Sequence, residues 1–237
     1  MIYHLSMSEL HLSEERRGAF GALAADLERV FGARFVALVA YDARRSAAFA
    51  ESIGVGDLAG AARLADGWAR LDLEVPLLVT PAEFRRSLDA FPLEYGAILR
   101  RHAVIAGTPP FDGASIADGD LRRALEVLAK GHVLHLRAGA VATGGRASEG
   151  RALIAASIDP FRALLANAAR LAGQQAASDE DVTAFGAAHL DLAPDTVRGL
   201  LAIDDGLEFD PSAVMPVYLD AAERLWKALD RYEGRAR

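Results

Sequence analysis

The sequence predicts two unlike halves: a small α/β unit with a mixed sheet over residues 1–112, and an α-helical bundle over residues 113–237. Three observations carry this. Short apolar runs with strand character are confined to the first half and alternate there with helix-start signals. A Pro/Gly-rich stretch, TPPFDGASIA at 108–117, then interrupts the chain. From Asp118 onward apolar residues recur at helical spacing with no convincing strand.

In the first half, Ser13 is placed to cap a helix opened by Glu14 and Glu15, with Phe20, Leu23, Leu27, Val30 and Phe31 on one face and Gly32 at its end. Arg34 to Tyr41, RFVALVAY, is apolar enough for a central strand. A four-residue link, DARR, leads to a weaker strand at Ser46 to Ser52. Gly54 and Gly56 break the chain. Asp57 is expected to cap a helix through about Ala69, with Leu58, Ala61, Leu64, Ala65 and Trp68 inward, before Leu71 to Val79 returns to the sheet.

Val75 to Gly107, VPLLVTPAEFRRSLDAFPLEYGAILRRHAVIAG, has the most consistent local signals. Val75 to Val79 reads as a buried strand. Thr80 then fits an N-cap, Pro81 the first helical position, and Glu83 the third, where its carboxylate reaches back to the cap. Phe91-Pro92 interrupts that helix. A second helix carries Leu93, Ile98 and Leu99, and Ala103 to Ala106 forms another short strand.

In the second half, a helix from Asp118 or Asp120 is expected to place Leu121, Leu125, Leu128, His132, Leu136 and Val141 near one stripe before Gly144-Gly145. The next helix starts at Ser148 and is kinked or split at Asp159-Pro160, ahead of Phe161, Leu164, Leu165 and Leu171. Ser178 with Asp181 caps another and Pro194 opens a short one. Asp210-Pro211 opens the last, with Val214, Val217, Tyr218, Leu225, Trp226 and Leu229. Short polar loops between such helices predict a bundle.

Composition narrows the chemistry. At 52% hydrophobic residues the 237-residue chain can build a packed core. No uninterrupted apolar run approaches the roughly 20 residues of a bilayer span, and MIYHLSMSELHLSEERR lacks the pattern of a signal peptide, so a cytoplasmic protein with no membrane partner is expected. With no cysteine, any metal site needs carboxylates or histidines. The net charge of −7 argues against a nucleic-acid partner, whose phosphates require a basic face. Lys occurs only at 130 and 227; the other basic residues are all Arg.

The central segment, reading VTPAEF, SLDAFPLE and RHAVIAG, is similar to the pattern LTPEEF, SLD-x-FPLE, RH-x-VL-x-G and so resembles a branch of the bacterial nucleotidyltransferase superfamily, the polymerase-β-like small-nucleotidyltransferase fold. KGHVLHLR at 130–137 is similar to that family's linking helix, with Leu121, Arg122, Glu126, Leu136 and Arg137 at matching sites. The resemblance spans about residues 13–145. It implies a nucleotide-holding cleft whose floor is the pair of early strands, with a Gly-Ser at the end of the first and a metal-binding Asp-x-Asp on the next. Here the first strand ends Ala40-Tyr41-Asp42, and the second reads Ser46-Ala47-Ala48-Phe49. Both motifs are missing.

Nucleotidyl transfer needs carboxylates to hold Mg²⁺ against developing phosphate charge. Asp72-x-Glu74 is the acidic pair that offers a rearranged set if it lies on a strand with both side chains to one side. Arg85 and Arg100, with Arg86 and Arg101, are candidates to collect a nucleotide anion, against the plainer reading of solvated helical arginines. His132 and His135 stand three apart on a helix, a spacing that suits either one metal ion or the linking helix itself, and His102 lies near the junction of the halves. No G-x-S-x-G elbow occurs.

Three readings follow. The chain is a catalytically degenerate nucleotidyltransferase-like protein kept for binding or assembly, with no cofactor. Or it is an active transferase using Mg²⁺ and a nucleoside triphosphate on a small molecule or protein, through Asp72 and Glu74. Or it is a helical scaffold that dimerises. A nucleotide, a small molecule or a second copy of the chain are the expected partners.

Overall fold

The computed structural model describes residues 8–174, 176–204 and 206–232. The chain forms two compact units, Met1–Ala117 and Asp118–Arg237, so the division falls after residue 117 rather than 112. The intervening loop belongs to the first unit because its side chains pack there. Phe111 meets Phe49 and Phe84 edge-on or tilted at 5.6 and 5.4 Å between ring centroids, and Ile116 is buried.

The first unit is α/β, built on a mixed sheet. Strands β1 (Ser8–Glu9), β2 (Phe35–Ala40), β3 (Ser46–Ala50), β4 (Leu77–Val79) and β5 (Arg101–Gly107) lie in the order β1-β5-β2-β3-β4. β2 runs antiparallel to β3 and β5, whereas β3–β4 and β1–β5 are parallel. A parallel neighbour needs a long crossover, and residues 51–76 supply the one between β3 and β4 through helices α2 (Val55–Ala62) and α3 (Ala65–Arg70).

Alternation along β2 and β3 gives the sheet two apolar faces. Leu38, Ala40, Ala48 and Ala50 pack with Phe20, Leu23, Leu27 and Phe31 of α1 (Glu14–Phe31) and with Trp68 of α3. Phe20, Leu23 and Leu27 are fully buried, each contributing roughly 1.5–3 kcal/mol. Phe49 points the other way, edge-on to Phe84 of α4 (Pro81–Arg86) at 5.4 Å, and Phe84 touches Tyr95 of α5 (Pro92–Arg100) at 4.7 Å. Small residues in the strands let helices approach on one side and a cluster of aromatic rings on the other.

The caps form at the foreseen residues. Ser13 accepts from the Arg16 amide at 3.2 Å. Thr80 accepts from the Glu83 amide at 3.1 Å while the Glu83 carboxylate accepts from the Thr80 amide at 2.9 Å. Gly107 closes β5 at φ +70°, where a Cβ would stand 2.0 Å from the Val36 carbonyl oxygen, so no other residue fits there without moving the strand.

Several expectations need correction. The helix foreseen from Asp57 to Ala69 is two helices, and its start is capped at Gly54: Asp57 sits one turn in, where its carboxylate accepts the Gly54 amide at 2.8 Å and both terminal nitrogens of Arg34 at 2.7 and 2.8 Å. That charge-assisted fork fixes α2 better than a cap alone. Leu58 is exposed rather than inward. Leu71 to Pro76 is a turn and extended link, and the strand is only Leu77–Val79. β1 had no signal in its two residues.

The second unit is all helical in its described residues. It comprises α6 (Asp118–Ala142), α7 (Ala147–Leu171), α8 (Asp179–Leu190), α9 (Pro194–Leu201) and α10 (Pro211–Asp230). Ser178 and Asp181 form the foreseen capping box, Asp210 caps α10, and Pro194 and Pro211 take first-turn positions. Asp159-Pro160 does not split α7, which starts at Ala147 and runs through Pro160. Pro160 has no amide to give the Ala156 carbonyl, and next to that gap the Ser157 carbonyl accepts the Tyr218 hydroxyl at 2.8 Å. Val217 is exposed, as are Leu128 and Val141, the latter two off the inward stripe foreseen for α6.

Among the described residues, α7 is the one helix with the length and composition of a membrane span. Its Ile154, Ile158, Phe161, Leu164 and Leu165 are buried in the bundle.

Candidate functional site

The place to look for chemistry is the end of the β2–β3 hairpin, where the resemblance would put a metal and a triphosphate. The two strands close with Ala40 opposite Ser46, and the Tyr41 amide donates to the Arg45 carbonyl at 3.1 Å. Asp42 folds into the turn, its carboxylate accepting the Arg44 amide at 3.3 Å.

The segment after α3 is stitched to this turn. Asp72 adopts φ +55°, a conformation that short polar side chains tolerate, and this reverses the chain. One Asp72 carboxylate oxygen binds Arg16 of α1 and the other lies 3.1 Å from Arg44 Nε. Arg16 also donates to the Leu71 and Asp72 carbonyls, both at 3.1 Å. Glu74 lies 3.3 Å from Arg45 Nε, and its amide donates to the Arg44 carbonyl at 3.0 Å. Arg16, with Arg44 on the far side, holds the Asp72 carboxyl below its ordinary value.

Tyr41 stands among these charges. Burial pushes its hydroxyl up first; the nearby Glu94 of α5, Glu74 and Asp42 push the same way, and Arg45 opposes them. The result is a charge-compensated patch in which carboxylates face guanidinium groups.

Hard cations such as Mg²⁺ take several oxygen donors at short range. The residues at the hairpin end do not fit that requirement. Ser46 to Ala50 is buried throughout, its one polar side chain is the Ser46 hydroxyl, and Ser46 Oγ has no hydrogen-bond partner among the described residues. Asp72 and Glu74 leave a turn and an extended link, not one side of a strand, and their charges are met by arginine. Among the described residues no group of three or more His, Asp or Glu side chains is placed to hold a metal ion.

No family model, curated protein or solved structure matches this chain.

Arg85 is exposed in the last turn of α4 and Arg100 half-buried in the last turn of α5, so two different helices carry them, and the acidic pair is met by Arg16, Arg44 and Arg45. Arg44 and Arg45 were visible only as part of the DARR link, and Arg16 of α1 carried no signal. Once β3 and β4 are parallel neighbours, the residues before β3 must lie beside those leading into β4, which sets Arg44 and Arg45 against Asp72 and Glu74.

His102 and His132 have structural partners. His102 Nδ1 donates to the Ile98 carbonyl at 2.9 Å, its ring stands edge-on to Phe111, and burial lowers its pKa. His132 and His135 do not converge, since His135 is exposed while His132 turns inward, 2.8 Å from the Tyr218 hydroxyl and stacked on Phe161. The Ser157 carbonyl can only accept, so Tyr218 donates to it and receives the Nε2–H of a neutral His132. Burial, with a smaller push from His135, lowers the His132 pKa to about 4. Arg122 and Glu126 form the i,i+4 pair at 2.7 Å, and Arg122 also reaches the Leu229 carbonyl at 3.2 Å.

In the same unit a cavity of about 310 Å³ opens among Leu200, Ile203, Leu207, Phe209 and Val214. It adjoins a polar one of about 390 Å³ in which Arg224 is held by Asp191 and Asp220.

Proposed function

We propose that the chain is a nucleotidyltransferase-like protein that has lost transfer chemistry and serves as a binding or assembly protein. The likeness of the central segment supports the first part. The observation that carries the second is strand β3. It stands where the resemblance expects the metal-binding Asp-x-Asp, and it is Ser46-Ala47-Ala48-Phe49-Ala50, buried from end to end. Carboxylates on such a strand need either solvent or a cation, since an isolated buried charge costs several kcal/mol. Small apolar side chains serve instead to pack α1 on one face and Phe84 on the other.

Asp72 and Glu74 act as anchors between two turns. Asp72, held by two arginines, must give up those contacts before it can bind a cation, and the three guanidinium groups paired with Asp72 and Glu74 leave that pair no net negative charge to draw one in.

The reading is tested by incubating the full chain with Mg²⁺ and each α-³²P-labelled ribonucleoside triphosphate, with small-molecule and protein acceptors, while calorimetry follows nucleotide binding. No label transfer is expected. Transfer that disappears in both Asp72→Ala and Glu74→Ala would overturn it.

A further inference from the structure

The outer face of α6 carries an apolar pattern that its own unit does not use. Its buried side is Leu121, Leu125, Ala129, Val133 and Leu136. Opposite, Val127, Leu134 and Val141 recur every seven residues and are 71, 49 and 83% exposed. Between them on the same stripe fall Ala124, Gly131 and Ala138, so large and small residues alternate at 3,4 spacing over the helix. A Cβ at Gly131 would meet nothing within 4 Å, so this glycine answers no packing demand within the chain. A mid-helix glycine is otherwise unfavourable.

We infer that this stripe is a homodimer seam in which α6 pairs antiparallel with α6 of a second copy. The argument is steric. One two-fold axis at the middle of the stripe sets Leu134 opposite Gly131, Val127 opposite Ala138 and Val141 opposite Ala124, so each large side chain enters a gap left by a small one. Leu128, 50% exposed, lies beside the stripe. Parallel pairing would instead set large against large and leave voids at Gly131, which lose dispersion contacts. A C₂ interface must be self-complementary, and this alternation is.

The charges beside the stripe are met within each chain. Arg123, Lys130 and Arg137 line one rim, with Lys130 nearest the axis and Arg123 far from its own copy. Each is already met within its own chain: Arg123 by Asp120, Arg137 by Glu223 at 2.6 Å, and Lys130 by the Trp226 ring at 3.4 Å. The centre of the stripe carries no charge.

Area sets the strength. The 25-residue helix is about 37 Å long, and a strip about 10 Å wide buries on the order of 400 Å² per copy, about half a standard interface. The dimer is therefore a weak one that forms only as concentration rises. This gives the assembly reading its partner. It does not depend on the loss of catalysis, because oligomeric state and label transfer are measured separately.

Sedimentation velocity of the full chain from about 1 to 500 µM tests the seam. A monomer–dimer equilibrium is expected. Leu134→Glu should remain monomeric throughout with an unchanged circular dichroism spectrum. Gly131→Leu, which fills the gap while favouring the helix, should weaken dimerisation at least tenfold without lowering Tm. In the cysteine-free chain, nitroxides on His135→Cys should approach each other closely across the axis, whereas those on Arg123→Cys should stand more than about 20 Å apart. A wild-type monomer at every concentration, a dimer that survives both stripe variants, or equal spacing at the two labels would overturn the proposal.

Discussion

Arg44 Nε stands 3.1 Å from the Asp72 carboxylate, tying the β2–β3 turn to the turn that follows α3. With Arg16 on the other oxygen, Asp72 has two guanidinium partners and a left-handed backbone at φ +55°. Asp72→Gly loses the charge but relieves the backbone, whereas Asp72→Ala loses the charge and keeps the strain. The Ala variant should melt below the Gly variant, the reverse order being the outcome that contradicts this account. Because the folded carboxyl titrates below its unfolded value, its contribution is present above about pH 4 and fades as pH falls through the lower folded value. Wild type and Asp72→Asn should therefore converge in Tm at strongly acid pH.

Two glycines with the same φ of +70° separate strain from collision. At Gly113 a Cβ meets nothing within 4 Å, so Gly113→Ala should cost about 1 kcal/mol from backbone strain alone. At Gly107 the added Cβ lies 2.0 Å from the Val36 carbonyl oxygen, and Gly107→Ala should cost more than about 3 kcal/mol as β5 is forced from β2. Urea unfolding of both variants checks the difference; equal costs would mean the strand can shift.

In the bundle, Tyr218→Phe leaves the His132 Nε2–H and the Ser157 carbonyl without the shared hydroxyl, at a cost of about 1–3 kcal/mol, read as several degrees of Tm. His132 is neutral when folded, with its pKa lowered to about 4 from an unfolded value near 6.5. The unfolded chain binds the extra proton between those values, so this residue's contribution is complete above pH 6.5 and declines as pH falls toward 4. His132→Phe, which keeps a ring against Phe161, should flatten the stability profile over that window. An unchanged slope would place the titrating group elsewhere.

What the sequence made legible follows from which interactions are local. Caps at Ser13, Thr80 and Ser178 need only residues three apart, and each is found in place. The division into a sheet-bearing and a helical half was equally open, because periodicity reports it directly. The start of α2 at Gly54 and the short β4 were not, since they involve the Asp57–Arg34 fork and the anchoring of Asp72, contacts made across the fold. The α6 stripe misled for a related reason: Leu128 and Val141 are apolar, and helical spacing alone does not tell the face turned to the bundle from the face turned away. At the candidate site Asp72 and Glu74 were visible as acids, but their arginine partners came into view only with the parallel pairing of β3 and β4.

Ser46 offers a test of the sheet floor itself. Its Oγ is buried with no partner among the described residues, so Ser46→Ala should be neutral or stabilising by up to about 1 kcal/mol. Ser46→Asp paired with Ala48→Asp, which writes an acid-x-acid pattern onto β3, should unfold the first unit or cost several kcal/mol whether or not Mg²⁺ is added. Rescue of that double variant by Mg²⁺ would mean the strand end is open to a cation after all.

The most direct measurement of the central claim is titration of the wild-type chain with Mn²⁺, followed by the paramagnetic broadening of Asp72, Glu74 and Tyr41 signals in the presence and absence of a nucleoside triphosphate. If arginine already satisfies the carboxylates beside the hairpin, those signals stay sharp at submillimolar Mn²⁺ in both conditions. Selective broadening of Asp72 and Glu74 at micromolar Mn²⁺, lost in Asp72→Ala, would contradict it.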